Sequence, residues 1–416
     1  MKCEYLILGG GVTGLSFANF VKDEDWILLE GMDEVGGYCK TIQKDGFVWD
    51  YSGHFFHFNT EFIKKFFLSK MEDTKIKKVK KKSSIYYNGR VIDFPFQKNI
   101  HQLERAEFID CLYDLVNRNS IKPSNFLEVL YSNFGLSITE KFLKPYNEKL
   151  YNCDLSHLDA DAMGRFFPYA DTKEIICNFK KQQDTSYNTS FLYPEKGCYE
   201  FIKALLKNID NKKILLNSRA ERINPNSKTV YLKDGREIKY NHLISSIPFD
   251  KLLVVSGTTH EASIYTSNKV AVFNLGFDLP STVKESWVYF PQRDISFYRV
   301  GFYNNILDSK RMSLYVELGK ETGEEVSKSK SLKTVLKDLN KVGIVKNHKL
   351  LASHFVVMNP AYVHITSASI GDFKTQIKKL NLKDIYSIGR YGGWKYCSIE
   401  DNVLEALELS EKLKNL

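Results

Sequence analysis

A glycine-rich run near the start of the chain has the residue types and spacing of a loop that binds a dinucleotide. Gly9-Gly10-Gly11-Val12-Thr13-Gly14 fits the pattern G-x-G-x-x-G and lies between the apolar run Cys3–Leu8 and a segment with helical spacing of apolar residues. The first glycine permits a tight turn, the second lets backbone approach a pyrophosphate, and the third lets helix pack on strand. The helix N-terminus then offers unpaired N–H groups to the anion. We therefore expect the cofactor to contact Gly9, Gly11, Val12, Thr13 and Gly14.

An acidic residue and two further glycine segments narrow the choice of cofactor. Glu30 lies 21 residues after Gly9 and follows the apolar run Trp26–Leu29, where a carboxylate accepts hydrogen bonds from ribose hydroxyls. A carboxylate there favours a free 2′-hydroxyl, and hence NAD or FAD over NADP. Gly36-Gly37 follows shortly, and the late segment Ser387–Gly392 again places a strand before glycine. Because an enzyme that binds only NAD needs neither segment, we expect FAD.

The elements that must position these residues change character along the chain. Beyond the two apolar runs, residues 98–185 carry helical periods, and residues 213–247 resemble short strands with a hairpin at Asp234-Gly235. Residues 268–320 and 350–366 alternate as strands do, and the last forty return to a strand, glycines and a final helix from Asn402.

This order predicts an α/β fold, in which a Rossmann-like FAD-binding domain is assembled from discontinuous segments and carries a helical insert and an antiparallel β-sheet domain. The expected boundaries are 1–85, 190–260 and 367–416 for the FAD-binding domain, 98–189 for the helical domain, and 86–97 with 261–366 for the β-sheet domain.

Composition excludes several classes of protein. With 43% hydrophobic and 26% charged residues over 416 positions, the chain is expected to fold into two or three lobes. No apolar run approaches the roughly 20 residues needed to cross a bilayer, and no signal peptide precedes the first strand, so we expect a cytoplasmic protein. The seven cysteines show no paired or metal-ligand spacing, so reduced thiols and no metal site are predicted.

The positive charge of the chain favours anionic partners in general. The formal net charge is +9, and the densest basic run is Lys75–Lys82. Since runs of like charge usually face water, we expect a solvated strand or loop edge there. No aromatic-interleaved RNA motif or Cys/His finger accompanies the run, so no nucleic-acid partner is expected. The sequence leaves open a homo-oligomer.

Several further motifs occur in order along the chain. They are DYSGHFFH at 50–57, FPFQ at 94–97, PYNEK at 145–149, WVYFP with FYR between 287 and 299, and GRYGGWKY at 389–396. The glycine turn is shared across FAD oxidases, whereas this combination is far more specific. Together the motifs resemble the UDP-galactopyranose mutase family, and its eukaryotic-type branch more than the bacterial one, from Gly9 to about Leu407.

The resemblance implies an isomerase of nucleotide sugars. The family reaction interconverts pyranose and furanose forms without net redox, here UDP-galactopyranose and UDP-galactofuranose or a close relative, for surface glycan synthesis. It uses reduced FAD, whose N5 attacks the anomeric carbon and forms a flavin–sugar adduct. The reductant expected is NADPH or NADH, with a separate reductase left open. The partner expected is a nucleotide-sugar substrate, with a UDP-hexose foremost.

The resemblance also assigns roles to residues. The catalytic set that it implies is His54, beside the flavin, with Arg165 and Arg299, which clamp the diphosphate. Further cofactor residues are Glu30, Gly36, Gly37, Gly53, Gly389, Arg390 and Asn402. The residues expected at the phosphates and sugar are Tyr289, Tyr362, Tyr396 and Asn188, and those expected at the nucleobase and ribose are Phe94, Phe96, Gln97, Asn147 and Tyr151.

Two stretches depart from the family pattern. Tyr151 stands where the family has a tryptophan beside the nucleobase, and Cys397–Asn402 replaces an Asn-Gln-Asp stretch that reaches the sugar. If the carboxylates of Glu400 and Asp401 reach the pocket, they favour sugars rich in hydroxyl or amino donors and repel uronic acids. The substrate is therefore the part of the prediction that these changes affect.

Two other functions are open at this stage. An FAD-dependent oxidase or desaturase of the protoporphyrinogen, phytoene and amine oxidase group shares the glycine turn and Gly36-Gly37, but it does not need two arginines facing the flavin. A catalytically inactive FAD-binding scaffold would partner other glycan-assembly proteins. The scaffold has no need of His54, the arginines or the tyrosines.

Overall fold

Strands from all parts of the chain form two large sheets. The computed structural model describes residues 1–119, 122–180 and 189–415. Numbered in chain order, the strands are β1 (Lys2–Leu8), β2 (Trp26–Leu29), β3 (Thr41–Lys44), β4 (Phe47–Asp50), β5 (Ile76–Lys80), β6 (Ser83–Tyr87), β7 (Arg90–Asp93), β8 (Ser190–Pro194), β9 (Ile214–Leu215), β10 (Ala220–Asn224), β11 (Thr229–Leu232), β12 (Glu237–Ser245), β13 (Asn268–Phe277), β14 (Trp287–Tyr289), β15 (Arg299–Phe302), β16 (Ser313–Glu321), β17 (Leu350–Met358) and β18 (Ile385–Ser387).

Helices connect these strands and fill the region between β7 and β8. They are α1 (Val12–Phe20), α2 (Glu61–Leu68), α3 (Arg105–Val116), α4 (Phe126–Ile138), α5 (Lys144–Tyr151), α6 (Thr172–Asn178), α7 (Tyr199–Leu206), α8 (Phe249–Val255), α9 (Tyr303–Leu307), α10 (Lys328–Lys341), α11 (Ser367–Asn381), α12 (Gly389–Gly392) and α13 (Ile399–Lys414). A π-helical turn, Thr139–Leu143, joins α4 to α5. The predicted helical stretch is therefore confirmed in its described part.

The first sheet has a parallel core drawn from distant segments. Its order is β9-β2-β1-β12-β18, and the hairpin β10–β11 adds antiparallel strands beside the first residues of β12. Because β1 comes from one end of the chain, β18 from the other and β12 from the middle, the predicted assembly from discontinuous segments is confirmed. The first helix, α1, packs against α13.

The second sheet is antiparallel except at one pair. Its order is β17-β13-β16-β15-β14-β6-β7, in which β14 and β6 run parallel. Successive residues of a strand face opposite sides. Thus Phe273 and Val316 pack with Val335 of α10, whereas Val272 and Tyr315 join the core shared with the first sheet. Burial on both faces explains why all ten residues of β13 are buried.

Differences from the sequence prediction concern the ends of elements. The hairpin at Asp234-Gly235 joins β11 to β12 as predicted. The last helix begins at Ile399 rather than Asn402, because Ser398 Oγ accepts a hydrogen bond from the Asp401 N–H at 3.1 Å and caps it. All seven cysteines are free thiols. Within the described ranges, no helix combines the length and the apolar character that crossing a membrane requires. The domain boundaries stay a prediction.

Candidate active site

The glycine turn between β1 and α1 has the geometry that a bound pyrophosphate requires. Gly9 adopts φ +99°, a left-handed conformation that glycine tolerates. A Cβ at Gly14 would lie 2.0 Å from the Gly9 carbonyl oxygen, so the first turn of α1 can approach only because Gly14 has none. Gly11 caps α1 without a side-chain hydrogen bond, which leaves the first N–H groups of the helix for an anion.

Glu30 and the segment Gly36-Gly37 lie beside this turn. The Glu30 carboxylate accepts hydrogen bonds from the Gly10 N–H at 2.8 Å and the Met32 N–H at 2.9 Å. Each oxygen keeps a further lone pair for a ribose hydroxyl. The Gly36 N–H donates to the Gly10 carbonyl at 2.7 Å, and a Cβ at Gly37 would lie 3.4 Å from the Cα of Gly11. Two glycine segments therefore run side by side.

The C-terminal segment closes over the same turn. Gly389 adopts φ +86°, and a Cβ there would lie 2.4 Å from Thr13 Oγ1. Asn402 Oδ1 on α13 accepts hydrogen bonds from Thr13 Oγ1 at 2.9 Å and from the Arg390 N–H at 2.8 Å. We call Gly9–Gly14, Gly36-Gly37, Gly389–Gly393 and Asn402 the cofactor cradle. The sequence-predicted residues of the cradle lie together, and their glycine contacts fit a cofactor that packs on backbone.

The segment that contains His54 passes beneath the second sheet. A Cβ at Gly53 would lie 2.5 Å from the hydroxyl of Tyr315, which is buried and has no hydrogen-bond partner among the described residues. His54 Nδ1 lies 3.2 Å from the Ser52 carbonyl oxygen. Burial lowers the pKa of His54 to about 4, so the imidazole is neutral near pH 7.

Arg299 is held by a carboxylate that the sequence analysis did not identify. On adjacent strands, Arg299 Nε and Nη2 donate to Glu317 at 2.5 and 2.8 Å. Ser52 Oγ donates to the same carboxylate, and only 1% of the Glu317 side chain is exposed. Burial opposes the charge of Arg299, but Glu317 outweighs it and holds the arginine pKa well above its usual value. Nothing in the alternating strand around Glu317 marks this residue in the sequence.

Arg165 is more exposed and has a different carboxylate partner. It lies on a short 3-10 turn, with 56% of its side chain exposed, and forms an ion pair with Asp401. Burial works against ionisation of Asp401, yet hydrogen bonds from Ser398 and Arg165 lower its pKa. Glu400 points elsewhere, because its carboxylate accepts from the N–H groups of Asn59 and Thr60 at the start of α2. The sugar preference predicted from the sequence requires the carboxylates of both Glu400 and Asp401 to reach the pocket. This condition is therefore not met.

The three predicted tyrosines lie near two arginines, Arg390 of the cradle and Arg299 of the second sheet. The rings of Tyr362 and Tyr396 stack at 6.1 Å, and the Arg390 guanidinium lies 5.4 Å and 4.5 Å from them. Tyr289 is opposite Arg299 in the β14–β15 hairpin. Burial raises the pKa of Tyr289 and Tyr362, so both hydroxyls stay protonated and can donate.

The predicted nucleobase residues divide into two groups. Phe94 contacts the Tyr289 ring at 5.0 Å, and Tyr151 meets the edge of Tyr362 at 5.7 Å. The buried Tyr151 hydroxyl has no hydrogen-bond partner in the described part of the chain. Phe96, Gln97 and Asn147 are buried as Tyr151 is, but their side chains contact other parts of the chain.

Each of these three side chains has a partner within the protein, although the buried Oε1 of Gln97 has none among the described residues. Phe96 stacks on Phe142 at 5.1 Å, and Asn147 Nδ2 donates to the Leu143 carbonyl at 2.6 Å. Gln97 donates to the carbonyl of Pro168. Their role at the base stays a prediction, and Asn188 lies outside the described residues.

A cavity of about 1100 Å³ brings four of the predicted residues together: Phe94, Arg165, Tyr289 and Tyr396. This volume is ample for a nucleotide-sized ligand. We call it the substrate cavity. Its wall also carries lysines that the sequence analysis placed on a solvated edge or left aside, namely Lys80, Lys81, Lys82, Lys98 and Lys284. The prediction for the basic run is thus incomplete, since its last three residues border the cavity.

Comparison with known proteins identifies the family and the fold of this chain. The family model described as flavin containing amine oxidoreductase matches residues 12–363. A reduced UDP-galactopyranose mutase shares the fold with a TM-score of 0.93 at 22% identity, covering 100% of this chain and 94% of its own. A protein from Exiguobacterium named as a protoporphyrinogen oxidase matches with a TM-score of 0.79 at 16% identity and 99% coverage of both chains. A putrescine oxidase double mutant matches at 0.69 and 12%, covering 100% of both. At these identities the structures show a shared fold.

Proposed function

Since the chain belongs to the flavin containing amine oxidoreductase family, which implies FAD, we propose that it is a nucleotide-sugar mutase. It interconverts the pyranose and furanose forms of a UDP-linked hexose, with UDP-galactose as the reference substrate. One observation carries the proposal. Arg165, Tyr289 and Tyr396 line a single cavity of about 1100 Å³, and Arg390 of the cofactor cradle lies against Tyr396.

In this proposal the chain binds the diphosphate and orients the sugar toward the cofactor. Arg165 supplies a charged, forked donor, and the hydroxyls of Tyr289 and Tyr396 donate to phosphate oxygens. Arg299, held in one orientation by Glu317, stabilises negative charge on the departing diphosphate. Reduced FAD, when bound, supplies the nucleophile at N5.

His54 has a supporting role in this proposal. Because its imidazole is neutral, it places no positive charge beside the flavin and can accept or donate one hydrogen bond there. The reductant expected is NADPH or NADH.

The similarity to an amine oxidase favours a second candidate, an FAD-dependent oxidase or desaturase. The charge of the cavity argues against an amine substrate. Among the described residues that line it, Asp93 is the one carboxylate, against six lysine and arginine side chains. A cationic substrate is repelled by such a wall.

The test compares the oxidised and the reduced enzyme. Purified protein is reduced with dithionite under nitrogen and given UDP-galactofuranose, and products are resolved by chromatography. We expect UDP-galactopyranose to form only after reduction, with reductant needed in catalytic amounts because the reaction has no net electron transfer. Full turnover by air-oxidised enzyme contradicts the proposal. Oxygen consumption with amines or porphyrinogens indicates the oxidase instead.

A further inference from the structure

A second histidine of the motif DYSGHFFH lies on the wall of the substrate cavity. The resemblance to a known family gives a role to His54 but none to His57, and the proposed reaction uses only the first of them. His57 nevertheless lines the cavity together with Phe94, Tyr289 and Tyr396. Its side chain therefore has the position of a group that contacts the substrate.

Two neighbouring residues of β8 fix the orientation of the His57 ring. Its Nδ1 lies 3.0 Å from the Ser190 carbonyl oxygen, and the Phe191 ring meets it edge-on with 5.7 Å between the ring centroids. Because a carbonyl oxygen only accepts, Nδ1 must carry the proton of this hydrogen bond. In the neutral imidazole the other nitrogen, Nε2, then holds a lone pair and is an acceptor.

The charge state of the ring agrees with this assignment. Burial lowers the pKa of His57 to about 4 and outweighs the hydrogen bond to Ser190, while the charges of Lys81 and Glu400 act on the ring in opposite directions. The imidazole is therefore neutral near pH 7. Among the described residues, no hydrogen bond to His57 uses Nε2, so this lone pair is left for a ligand.

The backbone on both sides of His57 is anchored. The Phe56 carbonyl accepts a hydrogen bond from the Leu192 N–H at 3.0 Å, which ties the segment to β8. On the other side, the buried carboxylate of Glu400 accepts from the Thr60 N–H at 2.7 Å. The ring is thus held in place before a ligand arrives, and little conformational entropy is lost when the ligand binds to it.

The chemistry of Nε2 limits the group that it can bind. The lysine and arginine side chains of the lining are donors and suit phosphate oxygens, which have no proton to give to a lone pair. Other side-chain acceptors of the wall are engaged: Asn99 Oδ1 and Asn305 Oδ1 accept from side-chain amides at 3.3 and 2.7 Å, and Asp93 Oδ2 accepts from Gln102 Nε2 at 2.9 Å. A nucleotide sugar offers hydroxyl donors on its hexose and on its ribose, so a hydroxyl fits this atom.

We propose that His57 is a specificity-determining residue of the substrate cavity, whose Nε2 accepts a hydrogen bond from a hydroxyl of the substrate, on the hexose or on the ribose. The inference rests on the proposed nucleotide-sugar function and adds a residue to it. A substrate that lacks this hydroxyl leaves the acceptor without a partner, which costs its desolvation as well as the bond. A site built to bond a hydroxyl discriminates against the analogue that lacks it.

Deoxy analogues tested on the reduced holoenzyme examine this role. Dissociation constants are measured by displacement of a fluorescent UDP probe, with UDP-galactose compared against analogues that each lack one hydroxyl of the hexose or of the ribose. We expect at least one analogue to bind about tenfold more weakly than UDP-galactose. In His57→Phe, which has no acceptor, that analogue and UDP-galactose should bind within about twofold of each other. The position of the missing hydroxyl in that analogue shows whether the donor belongs to the hexose or to the ribose.

Two further variants separate recognition from packing. His57→Gln keeps an acceptor near the place of Nε2, so it should retain discrimination of at least about threefold. His260→Phe is the matched control, because Nδ1 of His260 also lies 2.9 Å from a backbone carbonyl oxygen, that of Thr258, but His260 is outside the cavity lining. It should keep the full preference, and FAD content should be unchanged in all three variants.

Three results contradict the inference or its premise. If every analogue is weakened by the same factor in His57→Phe as in the unchanged protein, His57 does not bind a hydroxyl. If His57→Gln discriminates as little as His57→Phe, an acceptor at this position is not what the substrate requires. If UDP-galactose does not displace the probe from the unchanged protein, the proposed function itself fails, and this outcome is distinguishable because it needs no variant.

Discussion

In the cofactor cradle the decisive contacts are made by backbone, whereas in the substrate cavity they are made by side chains from distant segments. A Cβ at Gly14 or Gly389 would lie 2.0 or 2.4 Å from a neighbouring atom, so one residue type fits each position. Lys81 and Tyr396 instead line a cavity of about 1100 Å³, so open space lies beside their side chains. The comparison indicates that the cradle fixes the class of cofactor, while the cavity is free to change its substrate.

The two regions also differ in how their charges are held. In the cradle, Asn402 on α13 joins α1 and α12 through a neutral amide. Around the cavity, each predicted clamp arginine has a carboxylate behind it, Glu317 for Arg299 and Asp401 for Arg165. A change in one of these carboxylates therefore alters the clamp without touching the substrate.

The largest effect is expected in the cradle. Gly389→Ala places a Cβ 2.4 Å from Thr13 Oγ1 and 3.1 Å from Asn402 Oδ1, at a φ of +86° that alanine rarely adopts. We expect the purified variant to retain less than about a tenth of its FAD, measured from the flavin absorbance. Gly371→Ala is the control, since nothing lies within 4 Å of a Cβ there. Normal FAD content in Gly389→Ala would show that this backbone contact is not required.

The next effect concerns the hairpin loop that joins Tyr289 to Arg299. Lys149 Nζ lies 2.9, 3.0, 2.9 and 2.5 Å from four carbonyl oxygens of this loop, those of residues 290, 292, 295 and 297. Lys149→Met leaves these carbonyls without their donor, and we expect the free energy of unfolding to fall by about 3–5 kcal/mol. Urea titration measures it. Lys144→Met, on the same helix but in a partly exposed pair with Glu140, should cost less than about 1 kcal/mol. Equal costs contradict an internal role for Lys149.

The two clamp arginines should differ in proportion to their burial. Arg299→Ala leaves Glu317 buried and unpaired, so we expect kcat/KM of the reduced enzyme to fall about 100-fold. Arg165→Ala removes a side chain that is 56% exposed and should cost about tenfold. The lysine variants should recover only part of each loss, because an ammonium does not form a fork. Arg293→Ala, which removes a surface pair with Glu148, is the control for a lost guanidinium.

FAD content must be unchanged for these losses to report on the substrate site. Rates are measured well below the melting temperature of each variant, which Arg299→Ala should lower because it leaves Glu317 without its cation. A normal rate for either alanine variant contradicts its place in the clamp. If Arg165→Ala costs more than Arg299→Ala, the buried pair is structural and the exposed arginine carries the reaction.

The fold and the cradle could be predicted from the sequence because local rules govern them. The spacing from Gly9 to Gly14 has few structural solutions, and Glu30 stands at a fixed distance after the first strand. Periodicity predicts that the last helix begins at Asn402, three residues late, since the capping role of Ser398 depends on a short local signal that periodicity does not contain.

The cavity could be predicted only in part, because its wall is assembled by tertiary packing. Glu317 follows an ordinary strand pattern, and its partner Ser52 lies 265 residues away in the chain. Lys98 and Lys284 lie far in the sequence from the run at 80–82, so the sequence does not group these three segments. Gln97 and Asn147 match a family motif, yet their side chains bond to backbone in the interior. A motif places a residue in a region but does not determine where its side chain points.

The smallest effect is expected at Asp50, at the start of the segment that contains His54. Asp50 is fully buried, and its carboxylate accepts hydrogen bonds from Thr41, Tyr193 and the Cys198 N–H at 2.6, 2.7 and 3.1 Å. Burial nevertheless dominates and raises its pKa from 3.8 to about 6. The folded protein therefore holds a proton that the unfolded chain releases near pH 4.

The stabilising contribution of Asp50 is consequently complete below about pH 4 and is lost as the pH rises to about 6, with a slope of at most about 1.4 kcal/mol per pH unit. Asp50→Asn has a side chain that does not titrate, so we expect its unfolding free energy to fall less steeply, or to rise more steeply, than that of the unchanged protein between pH 4 and pH 6. Urea titrations at half-unit intervals measure both curves, and subtracting one from the other removes the titration of all other carboxylates.

Asp234→Asn, at the exposed β11–β12 turn, is the control and should leave no such falling difference. Parallel curves for Asp50→Asn and the unchanged protein would mean that the Asp50 carboxylate has the same pKa in the folded and the unfolded chain. The hydrogen bonds from Thr41, Tyr193 and Cys198 would then balance the effect of burial, and this segment would resemble the cavity, where charges are held in pairs, more than the cradle.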